Sequence, residues 1–234
     1  MKMDSHTQKA IMFDGVSKRY KKALRLLDSV SFSVNYGEVV AVVGPSGSGK
    51  STILQMAAAL ISPDSGMLTI DGKEIFPVSR KPSSITKLRS SIISYVSQDD
   101  FLFESLTVFE NVSLALELNG SDSHEKRVEN VDRVLEMLGV KTLADRQISD
   151  VSAGERKRVA IGRSLVTNPK ILIADEPTGS LDLEATNEFL SLIKREVDNQ
   201  KMALLLASHD VLELKGIADE MYTIKDYTLS EVES

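Results

Sequence analysis

The chain has 234 residues, 26% of them charged and 42% apolar, a balance that argues for a folded soluble protein and against disorder. A formal net charge of −6 argues against nonspecific nucleic-acid binding, and the lack of cysteine excludes a disulfide frame, a thiol nucleophile and a zinc–thiolate site. With no run of about 18 apolar residues and no apolar stretch after the first few positions, the chain is expected neither to cross a membrane by itself nor to carry a secretory signal.

Residues 11–13, 30–34 and 38–43 carry alternating or continuous apolar patterns and predict a β-rich start, with a turn at Tyr36-Gly37. The run Val39-Val40-Ala41-Val42-Val43 is short, β-branched and bounded by glycine, which predicts a buried strand. Then come Gly44, Pro45, Ser46, Gly47, Ser48, Gly49, Lys50, Ser51 and Thr52, followed by helix formers over residues 53–60. Strand, glycine-rich loop and helix in this order form a phosphate loop. The glycines let backbone N–H groups approach an anion, the helix start favours negative charge, and Lys50 supplies a point charge for the β- and γ-phosphates. The Ser51 hydroxyl is placed to ligate Mg²⁺. The alternative is a glycine turn that merely joins strand to helix.

Residues 68–70 and 73–75, joined by Asp71-Gly72, predict a hairpin. Residues 77–91 are polar and basic (Arg80, Lys81, Lys87, Arg89) and are expected to form a solvated loop. A strand is predicted over 92–96, ending at Gln98, and helices over 108–118 and 125–138, the second with a loose capping pattern of Asp122 and Glu125. The aromatic pair in Phe101-Leu102-Phe103 fits either a docking groove or the core. Asn111-Val112-Ser113 matches a glycosylation acceptor and is taken as chance.

Ser152, Ala153, Gly154 and Glu155 precede a helix to about residue 166; Ser152 reads equally as an N-cap or as part of an anion site. Residues 171–174 predict a buried strand that ends in Asp175 and Glu176. From a strand end, Asp175 would reach the loop's magnesium and Glu176 would orient or deprotonate a water; the alternative is two acids capping the next helix. A helix over 183–197 and strands over 202–207 and 221–224 complete an alternation that predicts a mostly parallel sheet wrapped by helices.

In this order, Gly44–Ser51, Gln98, Val151–Glu155, Ile171–Glu176, Ser180-Leu181-Asp182 and Ser208-His209 resemble an ATP-binding-cassette (ABC) ATPase, over nearly the whole chain from Tyr20 to about Ile224. The pattern is most similar to the branch of lipoprotein-releasing, macrolide-export, antimicrobial-peptide-resistance and cell-division ATPases. The resemblance implies an α/β, P-loop NTPase ABC ATPase fold in a single domain over residues 1–234. It implies an N-terminal antiparallel β-subdomain and a helical subdomain over roughly 93–165 that carries Gln98 and the signature Ser152–Glu155. It also implies that Tyr20 stacks on adenine, Gln98 senses magnesium and attacking water, Asp182 lies at a dimer interface and His209 touches the γ-phosphate. By the same resemblance, Ser51, Gln98 and Asp175 would form the metal set.

ATP and Mg²⁺ are the implied ligands. A second copy, or a homologous ATPase, would close head to tail over two ATP molecules, because loop and signature are expected on opposite edges of one chain. Transmembrane permease subunits would tie the chain to the cytoplasmic face of the membrane, powering export or extraction; no nucleic acid is involved. The alternative function is a mechanotransmitting or signalling ATPase that moves no solute. The sequence departs from the family at Ala153 and Glu155, at Gly162 and Ser164 in the signature helix, and at Lys225-Asp226-Tyr227 near the end. Ala153 is expected to crowd a phosphate or to strain a positive φ, and Gly162 to soften its helix by up to ~1 kcal/mol.

Overall fold

A computed structural model describes residues 8–20, 24–77, 82–120, 123–179 and 181–232. Two sheets share the fold. The first is antiparallel, in the order β2 (Leu24–Asn35), β1 (Lys9–Tyr20), β4 (Ser65–Ile70), β5 (Lys73–Phe76). The second is ordered β10 (Thr228–Glu231), β9 (Glu220–Lys225), β3 (Val39–Val43), β8 (Ala203–Ser208), β7 (Ile171–Asp175), β6 (Ile93–Val96), and every pair but β10–β9 is parallel. The helices are α1 (Lys50–Ala57), α2 (Pro82–Ile92), α3 (Val108–Asn119), α4 (His124–Met137), α5 (Ala153–Leu165) and α6 (Leu183–Gln200).

Strand periodicity divides the core. Val39, Ala41, Val43, Leu172, Ala174, Leu204 and Leu206 point to one face, where α3, α4, α5 and α6 supply Val112, Val134, Ile161 and Ile193. Val40, Val42, Ile171, Ile173, Leu205 and Ala207 point to the other, against α1 and the antiparallel sheet. There Phe13 stacks on Phe32 at 4.7 Å, and Phe32 meets Tyr222 at 5.6 Å. Strands buried on both faces are near-continuously apolar, which is why β3, β7 and β8 stand out in the sequence.

Two expectations are corrected. Residues 77–91 are not all loop, because α2 begins at Pro82 and buries Leu88 and Ile92. Ile85, Leu88 and Ile92 share a helical face that the surrounding polar and basic residues hide from a compositional reading. Arg80 and Lys81 lie outside the described residues. The cap of α4 is Ser123, whose hydroxyl faces the Lys126 N–H, and Asp122 lies outside the described residues. The short edge strand β10 has too little apolar pattern to be foreseen. The Asp71-Gly72 hairpin forms with both residues at positive φ (50° and 67°), the geometry such a turn requires. Asn111 is fully buried and bonded to its neighbours' backbone, which agrees with reading its glycosylation triplet as chance. Among the described residues no helix is long and apolar enough to cross a membrane.

Candidate nucleotide site

The parallel register sets the site. Val43 pairs with Ser208, and Asp175 with Ala207, so three strands end side by side and hand over to Gly44, Glu176 and His209. Ligand sites of open α/β sheets form at this carboxyl edge. Gly44, Gly47 and Gly49 adopt φ of 141°, 79° and 112°, which a side chain would strain, and the loop exposes Pro45, Ser46 and Gly47 above the start of α1. Ser51 and Thr52 lie in the first turn of that helix, half-buried. The Ser48 hydroxyl is buried without a partner among the described residues.

Lys50 is 5% exposed, and its ammonium lies 2.8 Å from the Gly44 carbonyl, 3.2 Å from that of Pro45 and 3.5 Å from Glu176 Oε1. A buried cation needs such acceptors. The other Glu176 oxygen meets His209 Nδ1 at 2.6 Å, and Glu176 itself is in the left-handed region (φ 49°). That hydrogen bond, then the carboxylate's charge, raises the His209 pKa above its ordinary value. Glu176 is thus held between two cationic side chains rather than capping a helix.

Asp175 is buried beside it. Its Oδ2 accepts from the Tyr95 hydroxyl at 3.4 Å, while Oδ1 has no partner among the described residues. Burial, with the Asp175 charge and hydrogen bond adding to it, pushes the Tyr95 hydroxyl up to about 12, so it stays a donor. An orphaned buried carboxylate oxygen calls for a cation. Among the described residues no three acidic or histidine side chains form a metal cluster. One carboxylate, a hydroxyl such as that of Ser51 in the first turn of α1, phosphate oxygens and water suit Mg²⁺, which keeps several waters, so the residues present fit that ion.

Ser152 is the N-cap of α5 and shares a capping box with Glu155: Ser152 N and Oγ both lie 2.7 Å from Glu155 Oε2. Those bonds hold the Glu155 carboxyl below its usual pKa. Ser152 and Ala153 are exposed, and Ala153 has an ordinary helical φ, so the expected strain is absent. Gly154 packs so that a Cβ would meet Leu181 at 3.3 Å. Gly162 sits where a Cβ would reach Leu138 at 3.0 Å and Val134 at 3.3 Å, so its place in the helix follows from packing. The exposed Asp182 caps α6 through Ala185 N (2.9 Å).

A cleft of about 720 Å³ is lined by Ser46, Gln98, Ala153, Glu176 and His209. Ser46 of the loop and Ala153 of the signature both line this open cleft, and among the described residues no hydrogen bond joins loop and signature. Phe101 and Phe103, 70% and 51% exposed, are not core residues. The ring of Tyr20 and all of Ser180 lie outside the described residues. Sequence reading overlooked Tyr95, placed only in a strand, and Lys157, Asp100 and Arg163, whose contacts join distant stretches.

Residues 27–179 match the family model described as ABC transporter. The chain is 34% identical over 227 residues to the lipoprotein-releasing system ATP-binding protein LolD of Rickettsia bellii, covering 96% of this chain and 99% of that protein. The LolD of Wigglesworthia glossinidia brevipalpis is 36% identical, with 90% and 92% covered. Among solved structures, the dimeric bacterial ABC transporter cassette MJ0796 superposes with a TM-score of 0.86 at 30% identity, covering 96% of this chain and 99% of that one. A dimeric post-hydrolysis state of the same cassette, bound to ADP and Pi, gives 0.85 at 29% identity, with the same coverage. A sheet edge that gathers phosphate loop, acidic pair and histidine, in a fold shared along its length with these cassettes, makes the chain an ABC-type ATPase of the ABC transporter ATP-binding family.

Proposed function

We propose that the chain is the nucleotide-binding subunit of a membrane export or extraction complex, hydrolysing ATP to ADP and phosphate to drive a separate permease. The observation that carries this is Glu176, held 2.6 Å from His209 and 3.5 Å from Lys50 at the mouth of the phosphate loop. Lys50 rests on its own loop's carbonyls, and incoming β- and γ-phosphate oxygens would draw it away from them and from Glu176. Glu176 is then the general base for the attacking water, worth on the order of 10²–10⁴ in rate, with His209 orienting it and meeting the γ-phosphate. Ser51, Asp175 and Gln98 would hold Mg²⁺, which neutralises developing phosphate charge when bound. Gly44 to Thr52 cradle the phosphates, and Tyr20 stacks on the base.

The exposed signature supports a shared site. Two copies facing head to tail would place Ser152 to Glu155 of one against the nucleotide in the loop of the other, with Asp182 at the seam, in a two-fold, self-complementary interface. The dimeric cassettes and LolD relatives support that arrangement and the export reading. The whole chain acts as one domain, with roughly residues 93–165 as its helical part, seated on the cytoplasmic face of the membrane through the permease. A permease helix would dock beside Gln98, on Phe101 and Phe103.

Ser152→Arg tests the shared site. Nucleotide titration of the variant should match the native chain, while phosphate release should fall by at least ~100-fold, since a transition-state contact is lost. Native turnover would mean that one chain completes its own site.

A further inference from the structure

Residues 98–104 leave the sheet at the end of β6, yet their polar anchors come from the helical layer. Lys157 of α5, only 3% exposed, places its ammonium 3.0 Å from the Gln98 carbonyl and 2.8 Å from Asp100 Oδ1. One residue earlier, Arg156 forks onto the Glu104 carboxylate at 2.9 and 2.5 Å. Two turns later, Arg163 donates to the carbonyls of Asp100 (2.9 Å) and Phe101 (2.8 Å). From α3, Asn111 accepts from the Phe103 N–H and donates to its carbonyl. Among the described residues none of these bonds runs to the phosphate loop. Phe101 is in the left-handed region (φ 45°), which a non-glycine residue keeps only when its surroundings impose it.

Burial separates these anchors. The Arg156–Glu104 pair is half in solvent and screened, so it adds little by itself. Side-chain exposures of 4% and 19% put Lys157 and Asp100 in a drier setting, where each charge depends on the other and removing one strands its partner. The ammonium also reaches the backbone of Gln98, so it fixes where that residue starts from.

We propose that Lys157 is a positioning residue that fastens the Gln98 segment to the helix headed by Ser152, so that Gln98, facing its own chain's nucleotide, and the signature, facing the partner copy's, move as one piece. This rests on the reading that Gln98 and Ser152 act at the phosphates. Lys157 touches no reacting atom; it acts through Gln98.

The test uses the full chain. Lys157→Met should lower kcat about tenfold while KM for ATP stays within about twofold, because the tie matters after the loop is filled. Amide exchange over residues 98–104 should quicken about tenfold, while α1 keeps its protection. The double variant Asp100→Asn/Lys157→Gln, whose amides can bond each other without charge, should regain most of the rate and the protection. Should Lys157→Met fail to fold, Asp100→Asn alone must show the faster exchange. Unchanged rate and unchanged exchange at 98–104 would overturn the tie. Gln98→Ala separates the two levels: a normal rate there sinks the role of Gln98 itself, whereas a slow Gln98→Ala beside a normal Lys157→Met sinks only the tie.

Discussion

Glu176 has two cationic neighbours of different character. Lys50 is buried, its side chain 6% exposed, whereas the His209 side chain is 63% exposed and its pKa is raised by Glu176. A pKa raised on folding contributes stability in full below the unfolded value, near 6.5, and loses it as pH climbs through the raised folded value. His209→Gln should therefore depress Tm more at about pH 5.5 than at about pH 9, read by thermal melts at both; a gap that does not shrink with pH would remove the ion pair. The identities of Lys50, Glu176 and His209 were legible because each follows an apolar strand at a motif position. Their mutual contacts were not, because register, not sequence proximity, brings strand ends together. Lys157 and Asp100 show the same limit. A lysine in an amphipathic helix reads as solvated until its partner's place in space is known.

Most elements were legible where the pattern repeats. β3, β7 and β8 are continuous apolar runs, and α4 with its C-cap residue Leu138 presents Val131, Val134, Leu135 and Leu138 at helical spacing. α2 was hidden because its face has too few apolar residues to outweigh a basic composition, and β10 because an exposed edge strand needs no apolar alternation. Gly162 was legible as a weakness of α5 but not as a fit. In the structure α3, α4 and α5 converge on it, and Leu138 and Val134 are buried with little room to yield. Alanine there gains ~1 kcal/mol of helix propensity and meets an overpacking cost of about 1–3 kcal/mol. Gly162→Ala should thus be destabilising by about 1 kcal/mol net in a urea titration; a stabilised variant would show that the neighbours can give way.

Across the whole molecule, the proposed cycle depends on ATP favouring the closed pair because it makes extra contacts there and nowhere else. Glu176→Gln should bind ATP, release phosphate ~10²–10⁴-fold more slowly, and accumulate as a dimer by light scattering at saturating ATP. A variant that stays monomeric under those conditions would contradict the shared site. The six-stranded sheet then has a mechanical consequence. The helix behind the phosphate loop and the helix behind Ser152 are rooted in separate apolar compartments, one on each side of that partition. Tilting the second compartment's contents need not unseal the first, so the grip on the triphosphate can stay rigid while the opposing jaw swings.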